Sequence, residues 1–409
     1  MKRIVITGMG AVTPVGIGTD AYWNSIIAGK SGIDTIKSFD PSGLAVQFAG
    51  EIKDFNPADY LEKDLVRKTD PFMQYAYIAA REALTQSGIK IEPSRTGIVM
   101  GTAMAGVAAT AFAQEALTGA HKKVGPRFIP KILGNVAAAN IAIDYNIQGP
   151  SFTVSTACSS GGDAINIACA YMQAGKADVM LAVGAESVLC PLVIESLANA
   201  KALSRRNDDP VTASRPFDIS RDGFVIGEGG GALVLETEEH ASARGAKILG
   251  VVAGCGNTCD AYHVTAPHPE GKGAIACIRQ ALADAGISPE DIGYVNAHGT
   301  ATHKGDAVET SAIKEVFGDH LPYVSSTKGA TGHMMGAGGI TEVIACVKAI
   351  ETGTVPPTIN LNEIDPECAG IDFVPNTAKK AEIRFAMSNA FGFGGQNSSI
   401  IVSAYRPEV

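Results

Sequence analysis

A duplicated chain is constrained to fold as two related units, and this chain repeats itself. The run IVITGMG (Ile4–Gly10) resembles GVVAGCG (Gly250–Gly256), and REALTQSGI (Arg81–Ile89) resembles RQALADAGI (Arg279–Ile287). Each of the latter leads to a similar apolar strand, GIVMGT (Gly97–Thr102) or GYVNAHGT (Gly293–Thr300). Further on, IACAYMQAG (Ile167–Gly175) echoes IACVKAIETG (Ile344–Gly353). The order strand, helix, strand, small-residue turn, helix holds in both copies. We read two α/β halves, 1–245 and 246–409, packed as a pseudo-symmetric pair. The N-terminal half has the longer spacing between its first strand and first matched helix. Its insertions are expected to form lids or contacts with another subunit.

With 409 residues, 46% of them hydrophobic and 18% charged, each half can bury a core of its own. No apolar run approaches the roughly 18 residues of a membrane span. The opening MKRIVITGMG reads as a first strand and not as a secretory signal, which leads us to expect a cytoplasmic protein. The net charge of −9 disfavours nucleic acid. Local basic clusters stand at Lys63, Arg67 and Lys68, at Lys122 and Lys123, and at Arg205 and Arg206. On charge alone these are solvated surface groups. Most of the eight cysteines sit in apolar runs, as small buried hydrophobes do. A disulfide framework is not expected, and Cys255, Cys259 and His263 lack the second ligand pair of a zinc site.

One cysteine differs. In VSTACSSGG (Val154–Gly162), Cys158 closes a strand-like run and a helix opens behind it. A thiol at a helix N-terminus meets the positive end of the macrodipole and free N–H groups, which favour thiolate and could hold an oxyanion. Small neighbours leave room for a substrate to approach. Candidate partners are His298 in NAHGTATHKGD, and Lys328 and His333 in SSTKGATGHMMGAGG. By the repeat, His333 holds roughly the position in its half that Cys158 holds in the first. Pseudo-symmetry should bring both turns to the interface between halves.

Together, TACSSG, NAHGTAT, SSTKGATGH and NAFGFGG make the chain resemble the elongating β-ketoacyl-acyl-carrier-protein synthases, condensing enzymes of the thiolase superfamily. The resemblance runs from IVITGMGAVTPVG to FGFGGQNSS. Thiolases carry a second cysteine where His333 stands, and initiating synthases an asparagine. The resemblance implies a thiolase-like fold, two α/β halves in α-β-α-β-α layers. It also implies that Cys158 takes an acyl chain from an acidic acyl carrier protein. Malonyl carrier protein would then decarboxylate beside His298 and His333, and its enolate would attack the Cys158 thioester. The N–H groups of Cys158 and Phe393 would hold the oxyanion, with Phe393 gating the cysteine. Lys328 would set the charge of the site, with Asp306 or Glu309 as its ionic partner.

By the same resemblance, Thr300, Thr302 and Thr265 would contact pantetheine, and Met104, Val107 and Leu197 would line the acyl pocket. Glu342, Ser388 and Asn389 match positions around a structural monovalent cation or water. The reaction needs no metal or redox cofactor. The basic clusters gain a purpose as a carrier-protein docking surface. A homodimer is implied, or a heterodimer with a similar chain. Two departures flank the site: His303 where the family usually has proline, and Gln396 where it often has threonine. Competing readings are a specialised polyketide or polyene ketosynthase paired with a chain-length partner, a noncatalytic partner subunit, and a cysteine hydrolase using Cys158 and His298. Cys158 argues against the second of these. The hydrolase leaves His333, Lys328 and the duplication unexplained.

Overall fold

The computed structural model describes residues 2–119 and 123–407. Ten strands carry the architecture. The first half contributes β1 (Ile4–Thr13), β2 (Thr96–Gly101), β3 (Ser151–Val154), β4 (Val179–Glu186) and β5 (Gly229–Thr237). The second contributes β6 (Gly250–Cys259), β7 (Ile292–Asn296), β8 (Tyr323–Ser325), β9 (Phe385–Gly392) and β10 (Gln396–Ser403). The strand orders are β3-β2-β4-β5-β1 and β8-β7-β9-β10-β6, so each half uses its third, second, fourth, fifth and first strand. The pairings match as well: β2 is parallel to β3 and β4, β7 to β8 and β9, and the remaining neighbours are antiparallel. First strands β1 and β6 pair antiparallel, Ile4 with Val252 and Ile6 with Gly250, joining the sheets at a seam.

Six helices complete the layers: α1 (Pro71–Ser87), α2 (Gly134–Tyr145), α3 (Ser160–Gln173), α4 (Lys272–Ala285), α5 (His303–Phe317) and α6 (Gly338–Thr352). Helices α3 and α6 touch strands of both halves and each other, so they form the central layer. Outside, α1 and α2 cover one sheet, while α4, with α5 against it, covers the other. The result is the α-β-α-β-α stack. Its middle core packs Ile165, Ala168, Val343, Ile344 and Val347 against Val99, Leu233, Val402 and Ile400.

The repeated sequence has a packing cause. A Cβ on Gly8 or Gly10 would lie 2.0 Å from the carbonyl oxygen of Ala83 or Ala79 on α1. Gly254 and Gly256 meet Ala281 and Cys277 on α4 in the same way, at 2.3 and 2.1 Å. Each outer helix thus lies on bare strand backbone and ends at a left-handed glycine, Gly88 or Gly286. The expected insertions fall at 14–70, between β1 and α1, and at 102–150, between β2 and β3. All eight cysteines are free thiols. No described helix is long and apolar enough to cross a membrane. Gly8→Ala should lower stability by about 3 kcal/mol, because helix or strand must move. Gly43→Ala, with nothing within 4 Å, should leave it unchanged; urea denaturation of both variants measures the difference.

Candidate active site

Strand β3 stops at Val154, four residues short of Cys158, because the chain turns earlier than its apolar run suggests. Cys158 lies in a 3-10 turn, Ala157–Ser159, that runs directly into α3. Ala157 is left-handed at φ 52°, a strained conformation for a side chain. The turn is held by hydroxyls: Ser159 donates to Thr156 O at 2.8 Å and Ser160 to Ala157 O at 2.7 Å. Thr156 donates to Asp163 at 2.6 Å.

The second half repeats the device. A 3-10 turn, Met335–Ala337, runs into α6, and Met335 is left-handed at φ 45°. The counterpart of Cys158 is therefore Gly336. His333 lies three residues earlier, so the expectation of equivalent positions is corrected by that interval. His333 is held by its backbone, donating to Val225 O at 2.7 Å and accepting from Gly227 N at 2.8 Å. His298 follows β7, and its N–H donates to Glu309 at 2.8 Å.

These loops converge as the repeat predicts. The side-chain donor atoms of Cys158, His298 and His333 all lie within 4.8 Å of one another. One ion could share them, and this is the one group of three or more His, Cys, Asp or Glu with such spacing among the described residues. The imidazole rings stand edge to face, centroids 5.2 Å apart, and His333 packs on Phe224 at 5.6 Å. Neither ring nitrogen of His333 has a hydrogen-bond partner, nor has Nδ1 of His298. Burial first, then the Lys328 charge, holds both imidazoles well below the usual histidine range. Both are neutral at neutral pH, each with one N–H to donate and one nitrogen to accept.

The thiol corrects an expectation. Burial pushes Cys158 up to about 11, outweighing the N–H groups of Phe393 and Cys158 that reach its sulfur and the Lys328 charge. The helix end favours thiolate, but Cys158 is 7% exposed and desolvation is the larger effect.

Comparison with known proteins settles the family. The family model described as the beta-ketoacyl synthase N-terminal domain matches residues 1–241, and that of the C-terminal domain matches 249–362. The chain belongs to the beta-ketoacyl synthase family. It is 44% identical to 3-oxoacyl-[acyl-carrier-protein] synthase 2 of Coxiella burnetii, over 98% of each chain. It is 42% identical to the protein of that name from Synechocystis sp., over 99% of each. Among solved structures, the ishigamide ketosynthase/chain length factor is similar at TM-score 0.93 and 35% identity, covering 99% of this chain and all of that one. As a family member the chain is an acyltransferase, and its central group is of the Cys-His-His type.

The other expected site residues divide. Lys328 is buried but pairs with Glu342, not with Asp306 or Glu309. Asp306 lies 3.6 Å from Arg221 and accepts from the N–H groups of Phe217 and Ala301. Glu309 accepts from His298 N and Gly299 N. Burial pushes Asp306 up to about 6 and Glu309 to about 7. Both carboxylates shape loop backbone; neither is the counter-ion of the lysine.

Glu342 Oε2, both side-chain atoms of Asn296 and Nδ2 of Asn389 are buried without partners. Asn296 stands opposite Ser388 in the β7–β9 ladder. Sequence reasoning passed over Asn296, although NAHGT begins with it. It also passed over Arg221, whose fully buried guanidinium holds Asp365 at 2.6 Å and the carbonyls of Thr302 and His303.

The Thr300 and Thr302 hydroxyls lie 3.1 Å apart. Thr265 is exposed beside Val264, whose carbonyl accepts from Gly394 N in the Phe393 loop. Phe393 is 40% exposed. Val107 and Leu197 pack into the apolar cluster containing Cys158, whereas Met104 lies outside it and is 36% exposed. Arg67 and Lys68 share Asp64, and Lys63 opens the same helix. Lys123 and Arg67 line a cleft of about 550 Å³ with Arg127 and Lys131. Lys122 lies outside the described residues. Arg205 is tied to Ala198 O, and Arg206 to Ser220 O and Asp222.

With the thiol raised to about 11, alkylation of Cys158 by iodoacetamide should quicken about tenfold per pH unit between pH 6 and 9, without a plateau. A plateau below pH 8 would show a resting thiolate instead.

Proposed function

We propose that Cys158 carries an acyl chain received from an acyl carrier protein, and that malonyl carrier protein condenses with it in fatty-acid chain elongation. The observation that carries this reading is the buried group of one thiol and two neutral imidazoles, gathered within 4.8 Å, in which both ring nitrogens of His333 and Nδ1 of His298 have no hydrogen-bond partner in the protein.

A neighbouring neutral imidazole accepts the thiol proton as Sγ attacks the acyl thioester, and the carrier thiolate leaves with that proton. The N–H groups of Cys158 and Phe393 receive the oxyanion. In the second half-reaction the malonyl thioester carbonyl lies against the N–H donors of His298 and His333. The bond to the carboxylate breaks, CO₂ leaves, and the electron pair becomes an enolate stabilised by those donors. Its carbon attacks the acyl carbonyl, the C–S bond breaks, and Cys158 departs as thiolate and recovers a proton. The product is a β-ketoacyl carrier protein two carbons longer. Desolvation that raises the resting thiol also keeps both imidazoles neutral, so they donate hydrogen bonds without protonating the enolate.

Thr300 and Thr302 would hold pantetheine, with Thr265 at the rim beside the gate. The apolar cluster around Val107 and Leu197 would hold the chain. His303 opens α5 beside Thr302, and Gln396 follows the gate, so both departures act on entry and not on the reacting atoms. Beside the lysine–glutamate pair, Glu342 Oε2 and Asn296 Oδ1 are unpartnered oxygens that would hold a monovalent cation. The Arg67, Lys123, Arg127 and Lys131 cleft suits an acidic carrier protein. A solved relative, AntDE:AntF, is described as a type II PKS acyl-carrier protein in complex with its ketosynthase.

The insertion at 102–150 exposes Met104, Phe112, Ile129, Leu133 and Ile143, and β3, which carries the exposed Phe152, presents an unpaired edge. Such an edge needs covering, which supports a homodimer through β3. The likeness to a ketosynthase/chain length factor supports, as second reading, a specialised polyketide heterodimer with a similar chain.

Intact mass after incubation with octanoyl carrier protein should show an acyl adduct on wild type and none on Cys158→Ala. Malonyl carrier protein should discharge it into decanoyl-length β-ketoacyl product; release of octanoic acid without malonyl donor would establish a hydrolase. His333→Ala should still load but condense about a hundredfold more slowly. Phe152→Arg should shift the protein from dimer to monomer in sedimentation analysis.

A further inference from the structure

Behind the site a buried carboxylate crosses between the halves. Glu186 ends β4 and is fully buried. Its Oε2 accepts from the N–H groups of Ala103 at 2.6 Å and Gly336 at 3.2 Å. Its Oε1 accepts from Met104 N at 3.1 Å and from the Thr102 hydroxyl at 3.1 Å. Thr102–Met104 leave the end of β2 in the first half, next to the acyl-chain cluster. Gly336 belongs to the second half and sits three residues beyond His333.

The peptide of that turn is held on its other side as well. A Cβ on Gly184 or Gly161 would lie 2.6 or 2.7 Å from Gly336 O. The turn is thus fastened by its N–H to Glu186 and pressed by its carbonyl onto β4 and the first turn of α3.

The pseudo-twofold gives the arrangement its meaning. Strands β4 and β9 are the fourth strands of their halves, and each ends over the turn of the other half. Beyond β9, the N–H of Phe393 faces Cys158 on an exposed loop. At the end of β4, the Glu186 carboxylate faces Gly336, the silent counterpart of Cys158. One end of the axis carries a gate and the other a lock.

We propose that Glu186 is a positioning residue for this reaction: its carboxylate locks the Met335–Ala337 turn to the end of β2 and so holds His333 in place beside Cys158. The inference rests on the reading of Cys158 as acyl carrier and His333 as donor to the malonyl carbonyl. Glu186 also acts on the thiol through space. Burial is the largest effect that raises Cys158, and the Glu186 charge adds a smaller rise, against Lys328 and the N–H groups of Phe393 and Cys158, while His298 and His333, kept neutral by burial, flank the sulfur.

The test uses Glu186→Gln, which keeps the volume, removes the charge and turns an NH₂ group toward N–H donors. Octanoyl carrier protein loads the enzyme, and malonyl carrier protein discharges it in a single turnover. Loading should proceed at least as fast as in wild type, condensation should fall tenfold or more, and the alkylation profile of Cys158 should move to lower pH. Gly336→Ala strikes the same junction from the other side, since its Cβ would lie 2.9 Å from Glu186 Oε2 and 2.8 Å from Thr102 Cα. It should slow condensation likewise but leave the alkylation profile unmoved, because the carboxylate remains. Loading and condensation falling together with thermal stability, or neither changing, overturns the inference. If Glu186→Gln does not fold, the loading and condensation rates of Gly336→Ala decide alone. Wild type that loads and condenses beside unaffected variants sinks only this inference. Wild type that does neither sinks the functional reading and this one with it.

Discussion

The contact on which this structure depends is backbone against backbone, where the N-termini of α3 and α6 meet at the pseudo-twofold. A Cβ on Gly339 would lie 2.5 Å from Gly162 N, and one on Gly161 would lie 3.0 Å from Ile340 N. No side chain fits between the helices there. The turns ahead of them, carrying Cys158 and its silent copy Gly336, are therefore held in a fixed relation to each other. The two sheets, their seam at β1 and β6, and the outer helices on their bare glycine strands bring the halves to that axis. The helix ends present free N–H groups to the space beside it, and the reacting sulfur is placed there.

Burial then does the chemical tuning. Removing water from this pocket raises the thiol and lowers both imidazoles, so the resting site holds neutral groups. The buried cation beside them, Lys328, is matched by Glu342, and breaking such a pair would cost about 3–5 kcal/mol by stranding a charge. Asp306 and Glu309 spend their oxygens on loop N–H groups and hold the backbone that carries His298. Charge is thus kept one layer below the reacting atoms, and hydrogen-bond donors are kept in contact with them.

Much of this was legible in the chain. The repeat predicted two halves with matched order because its glycines are required by close packing, which leaves the same residues in both copies. Cys158, His298 and His333 were legible because each lies in a small-residue loop after a strand, a setting that offers little reason for a structural thiol or imidazole. Less was legible where partners are chosen across space. The family resemblance assigned Lys328 to Asp306 or Glu309, yet it pairs with Glu342 on α6, which lies along the central layer. Glu186 ends an ordinary apolar strand in LAVGAES, and nothing local marks it as a hub. The thiol was misjudged because the helix end can be read from sequence and the depth of burial cannot.

The sequence by itself determined the duplicated architecture, the residue types of the site and the loops that hold them, since these follow from periodicity, glycine placement and motif. Only the tertiary structure decided which carboxylate balances Lys328, that Gly336 and not His333 is the counterpart of Cys158, and that the resting cysteine is protonated. Those outcomes depend on distances between elements far apart in the chain and on how much water the assembled halves exclude. Neither quantity is written in any local stretch of residues.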